Sequence, residues 1–172
     1  MPGRASRALL IAALCFVVAP ASGLRDASPE VEVHAVHLHH RHVEITGGSD
    51  VDTPRVERAL ERVLATRVGL RAAELIDSGA LGHPLHIELN ANGDNHTIYR
   101  VPGVELSETI LFDPFSFPLV QTQDGPRAAP PETVLAHELG HAVFKLASEE
   151  EVIRQVENPI REELGLPLRL HF

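Results

Sequence analysis

The chain has 172 residues, 44% of them hydrophobic, with no Trp, one Tyr and a formal net charge of -9. That is enough for one domain with its own core and too little for two. Aromatic packing is thin, so Leu, Val, Ile and Ala must fill the interior. The acidic balance excludes nucleic acid as a partner class, because phosphate backbones require clustered Lys and Arg, and Lys145 is the only lysine.

Residues 1–21 read as a secretory signal. Arg4 and Arg7 precede a nearly unbroken apolar run from Ala8 to Ala19, and Ala19-Pro20-Ala21 offers a small-residue cleavage site. The run is short for a membrane span, and the alternative is a retained N-terminal anchor. Cleavage would remove Arg4, Arg7 and the sole cysteine, Cys15, leaving a net charge of about -11 and no disulfide. The expectation is a secreted or periplasmic protein, residues 22–172, without stable membrane insertion.

Glu30 to Ile45 alternates with many β-branched residues and predicts one long or two short strands. It carries His34, His37, His39, His40 and His42, read as a His-rich strand that could also hold metal weakly. After a turn at Gly47–Asp50, Thr53 and Pro54 suit a helix start. Val56, Leu60, Val63 and Leu64 form its apolar stripe, and Gly69 is a candidate end. A shorter helical piece follows at Leu70–Ile76. Leu85, Ile87 and Leu89 alternate as a strand, Asn90–Asn95 reads as a hairpin turn, and Thr97–Val101 as the returning strand. Tyr99 could donate a hydrogen bond to a developing oxyanion, although a half-buried strand tyrosine is the simpler reading. Thr109–Phe112 is a further short strand. Asp113–Pro131, with five prolines, reads as a loop or lid.

Glu132–Leu146 is predicted to be a helix, and it contains His137-Glu138-Leu139-Gly140-His141, an HExxH motif. Residues four apart on a helix lie one above the other, so His137 and His141 can direct two imidazoles at one metal ion. Glu138 is then placed as general base toward an activated water. Gly140 costs helix stability and implies close packing beside the metal. Ser148 and Glu151 form a capping box for the next helix, which Asn158-Pro159 interrupts or kinks, with Asn158 a possible cap for a last turn. A catalytic zinc takes three protein ligands. The third is expected from the segment after the turn at Ala147-Ser148, with Glu150 preferred and Glu149 and Glu151 as alternatives. Glu157 is better suited to accept an imidazole N–H.

The block Leu135–Ala142 and the run Glu157-Asn158-Pro159-Ile160-Arg161 through Gly165-Leu166-Pro167-Leu168-Arg169 together resemble the NleD-like effector and toxin family of short bacterial zinc metallopeptidases. The spacer between His141 and Glu157 is shorter than the family's usual loop, and the chain ends in His171-Phe172 where members often carry a Tyr. The resemblance implies an α+β, zincin-like single domain with a small mixed or antiparallel sheet and a metal-binding helix. It also implies one Zn2+ ion, His137 and His141 as ligands, an acidic third ligand placed here on Glu150, Glu138 as the catalytic residue, and a protein or peptide substrate. The competing reading is a non-enzymatic secreted metal-binding protein.

Overall fold

The computed structural model describes residues 42–99 and 108–170. The signal-like segment 1–21 and His34, His37, His39 and His40 lie outside them; His42, half-buried, immediately precedes the first strand.

The described chain is α+β. A mixed sheet is built from β1 (Val43–Thr46), β2 (Leu85–Leu89), β3 (His96–Ile98) and β4 (Thr109–Phe112), in the order β1-β2-β4-β3. β1 and β4 both run parallel to β2, and β3 lies antiparallel on the edge beside β4. Parallel neighbours need a crossover. Between β1 and β2 it is made by α1 (Asp52–Leu64) and α2 (Arg67–Asp77). The expected hairpin between β2 and β3 is therefore corrected. The turn residues are present, but β4 takes the edge of β2, because Ile87 and Leu89 find fully apolar partners in Ile110 and Phe112.

α1 begins at Asp52, one residue before the expected cap at Thr53, which is buried within the helix. Asp52 instead accepts hydrogen bonds from Ser49 N (3.0 Å) and Ser49 Oγ (2.8 Å). Pro54 stays in the first turn, where a missing N–H costs nothing. Gly69 does not end α1. It sits in the first turn of α2, where its N–H bonds to the Thr66 cap, and a Cβ there would stand 1.9 Å from the Val63 carbonyl oxygen. Its role is to let two helices join at a tight corner.

Asp113–Pro131 is not wholly a loop. It contains a hairpin, β5 (Leu119–Thr122) and β6 (Gly125–Ala128). Pro126 is tolerated because its strand, β6, is short and pairs among the described residues with β5 alone. The C-terminal tail pairs with β5 on its other side: Leu170 N donates to Gln121 O and Gln123 N to Leu168 O.

The second half of the chain holds α3 (Pro131–Ala142), α4 (Glu149–Val152) and α5 (Asn158–Glu163). α3 starts on Pro131, pre-set for a first helical position, and ends at Ala142, earlier than expected, in a turn with Lys145 at φ 58. α3 packs against α1, β3 and β4 and supplies Leu135, Ala136 and Leu139 to the core. α4 and α5 are joined by a π-helical segment, Ile153–Glu157, in which Asn158 N donates to Ile153 O. The expected break at Asn158-Pro159 is absorbed there. A widened turn before Pro159 relieves the clash between its ring and the preceding carbonyls, and the helix continues. Asn158 caps nothing; its amide bonds Arg169 N (2.8 Å) and Arg169 O (2.9 Å). Gly165, at φ 68, closes α5 in a Schellman arrangement with Leu166 N on Arg161 O and Gly165 N on Glu162 O.

Among the described residues no helix is long and apolar enough to cross a membrane.

Candidate metal centre

His137 and His141 lie one turn apart on α3 with ring centroids 5.0 Å apart. Each ring is fixed by its Nδ1. For His137 the partner is Glu157 Oε2 at 3.0 Å, and for His141 it is Leu146 O at 2.7 Å. Neither a carboxylate nor a carbonyl can donate, so each Nδ1 carries a proton, which leaves Nε2 as the ring atom that would bind a metal ion. Both Nε2 atoms face the same carboxylate. Glu149 Oε2 lies 3.0 Å from His137 Nε2, and Glu149 Oε1 lies 3.3 Å from His141 Nε2. One ligand atom from each of the three residues falls within 4.8 Å of the others. Two imidazoles and one carboxylate suit a zinc-like divalent ion, and the outward hydrogen bonds are those that orient ligands in metal sites.

The third member is thus Glu149, not Glu150. Glu150 is exposed and outside the cluster. A step of one residue turns a helix by about 100°, and the turn from Val143 to Ser148 sets the register so that Glu149 faces α3. Ser148 begins α4 as expected, accepting from Glu151 N at 3.1 Å, with Glu151 Oε2 3.2 Å from the Ser148 hydroxyl. Glu149 is 69% exposed, so it closes the cluster from the solvent side.

Gly140 lies between the two histidines. A Cβ there would meet Val152 Cγ1 at 2.6 Å. The absent side chain lets α4 press onto α3, which is what brings Glu149 over the imidazoles.

Glu157 and Arg161 are 1% and 2% exposed. Arg161 Nε donates to Glu157 Oε1 at 2.8 Å and Arg169 Nη1 to Oε2 at 3.0 Å. Arg161 also reaches Pro167 O and Thr133 Oγ1. Burial pushes the Glu157 carboxyl up, but its hydrogen bond with His137 and the two guanidiniums outweigh this and hold it below the usual carboxylate range. Burial alone would lower His137; the Glu157 hydrogen bond and the charges of Glu157, Glu149 and Glu138 reverse that and raise it.

Glu138 is buried beside the two histidines. Its Oε2 accepts from Thr97 Oγ1 of β3 at 2.8 Å, and the same hydroxyl lies 3.2 Å from the Glu138 carbonyl. Burial raises its carboxyl above the ordinary range, against the Thr97 hydrogen bond and the two imidazoles. Tyr99 follows β3 with its ring perpendicular to that of His141, centroids 6.3 Å apart. Burial and the charges of Glu138 and Glu149 raise its phenol.

These groups face a cavity of about 530 Å³. It is lined by residues of α3, of β3 with Tyr99, and of β5 with the flanking Pro118 and Ala129, together with Glu149, Glu157 and Arg169. Sequence reasoning did not find Thr97, the Leu146 carbonyl or the buried Arg161. Thr97 carries no local signal, since only tertiary packing sets β3 against α3. Arg161 and Arg169 stood in the tail motif without an assigned contact.

Comparison of the chain with protein-family models, with curated proteins and with solved structures returned no match.

Proposed function

We propose that this chain is a zinc-dependent metallopeptidase, exported in precursor form and acting on a protein or peptide. The observation that carries the reading is the joint placement of His137 Nε2, His141 Nε2 and the Glu149 carboxylate, with the buried Glu138 beside them and outside the set. His137, His141 and Glu149 hold the ion. When bound, zinc supplies Lewis-acid polarisation of a carbonyl and a water acidified toward neutrality.

The chain's own residues do the rest. Glu138 takes a proton from the attacking water and returns it to the leaving amine. Thr97 engages Oε2, which assigns the proton to Oε1. Burial raises the Glu138 carboxyl above the ordinary range, which makes Glu138 the stronger base toward that water. Glu157 keeps the His137 proton on Nδ1, and Arg161 and Arg169 keep Glu157 ionised. Among the described residues β3 pairs with β4 alone, so its other edge can take an extended peptide by strand addition along the cavity. The mixed sheet with α3 packed against β3 and β4 supports the zincin-like arrangement, and the two sequence motifs support kinship with the NleD-like peptidases.

A purely structural metal site would have no use for a buried carboxylate held beside its ligands. Replacement of Glu138 by Gln separates the readings. A peptidase retains zinc and loses cleavage of an unfolded protein such as casein by several orders of magnitude; equal cleavage by both forms would overturn the reading.

A further inference from the structure

The cavity has two chemically different parts. Around His137, His141, Glu138 and Glu149 it is polar and acidic. The wall contributed by β5 with its flanking residues and by the start of α3 is mostly apolar: Pro118, Leu119, Val120, Ala129 and Val134, with Thr133 and Arg169 as its polar members. Val134 lies one turn ahead of His137 on α3, so this wall adjoins the metal cluster. Val120, Ala129 and Val134 are buried parts of the main core, and Ala129 N is tied to Pro118 O at 2.8 Å. The wall is therefore rigid. Leu119 stands at its rim and is 76% exposed.

Resting on the metallopeptidase reading, we propose that this wall is a subsite for a large aliphatic or aromatic substrate side chain next to the scissile bond. The enzyme would then select apolar residues there and reject charged ones. Leu119 closes over the side chain from the rim, and Ala129, the smallest residue of the wall, leaves depth for it. Pockets of this kind discriminate by the apolar area they cover, on the order of tenfold or more for a few methylenes.

The test uses the full mature chain with zinc and Glu138→Gln, which cannot turn substrate over. Its binding to fluorescein-labelled octapeptides of Ala and Ser is measured, with one central position varied among Leu, Phe, Ser and Asp. Leu and Phe peptides should bind on the order of tenfold more tightly than Ser and Asp peptides. Leu119→Ser, an exposed change that leaves the core untouched, should remove most of that preference. Ala129→Leu, which fills the depth, should weaken the Phe peptide most. Equal binding of all four peptides, or a preference that survives Leu119→Ser and Ala129→Leu alike, would overturn the subsite. The peptidase reading is judged separately. A wild-type enzyme that cuts peptides indiscriminately keeps that reading and loses the subsite. A protein that binds with the stated preference but never cuts keeps the subsite and loses the chemistry.

Discussion

Val152 Cγ1 lies where a side chain on residue 140 would begin: a Cβ on Gly140 would stand 2.6 Å from it. This contact sets how closely α4 approaches α3, and hence whether Glu149 can reach the two imidazoles. Glycine in a helix costs roughly 0.5–1 kcal/mol relative to alanine, so Gly140→Ala would stabilise an isolated helix. Overpacking a filled contact costs about 1–3 kcal/mol, which outweighs that gain. Gly140→Ala should lower Tm and weaken zinc binding together, and adding Val152→Ala should recover much of the zinc affinity. Calorimetry and zinc titration of the two variants check this; a Gly140→Ala protein with undiminished zinc affinity would contradict it.

Thr97 joins the sheet edge to the proposed base. Hydrogen bonds to a charged group are worth about 1.5–3 kcal/mol. Loss of the Thr97–Glu138 bond in Thr97→Val should lower kcat by about tenfold or more, with zinc content unchanged. Thr97→Ser keeps the hydroxyl and should restore most of the rate. Steady-state kinetics of both forms distinguish positioning from a packing effect, since a packing effect would not be repaired by the smaller serine.

Glu163 at the end of α5 accepts from Arg67 N and Arg67 Nε, both at 3.0 Å, and so ties α5 to the start of α2. The backbone hydrogen bond from Arg67 is the main reason its carboxyl lies below the ordinary range. A carboxyl depressed in the folded state stabilises the fold above its unfolded pKa of about 4.3, and that contribution is lost as pH falls through the lower folded value. The Tm difference between wild type and Glu163→Gln should therefore be constant from neutral pH to about pH 5 and shrink on further acidification. A difference that grows toward low pH would contradict this pairing.

Much of this arrangement was legible in the sequence because it is local. HExxH spacing, the Ser148 capping box and the tail with its Gly165 stop are short-range signals. The helix pair and the outward acceptor Glu157 followed from them. What was not legible depended on distant contacts or on a single rotation. Choosing Glu149 over Glu150 depends on the turn at Lys145, at positive φ, and on Gly140 admitting Val152. The partner of β3 is set by β4 entering beside β2. The β5–β6 hairpin was hidden by prolines that argue against strands, while the tail that pairs with β5 lies some 45 residues further along the chain.

The central claim is that His137, His141 and Glu149 hold one zinc ion, with Glu138 beside it for the chemistry. The most direct measurement is zinc stoichiometry at neutral pH, by elemental analysis after dialysis, for the mature wild-type chain and for Glu149→Ala, Glu150→Ala and Glu138→Gln. The account predicts about one zinc per chain in wild type, Glu150→Ala and Glu138→Gln, and its loss in Glu149→Ala. Zinc retained by Glu149→Ala but lost from Glu150→Ala would contradict the assigned ligand, and a folded wild-type protein without stoichiometric zinc would contradict the metal centre itself.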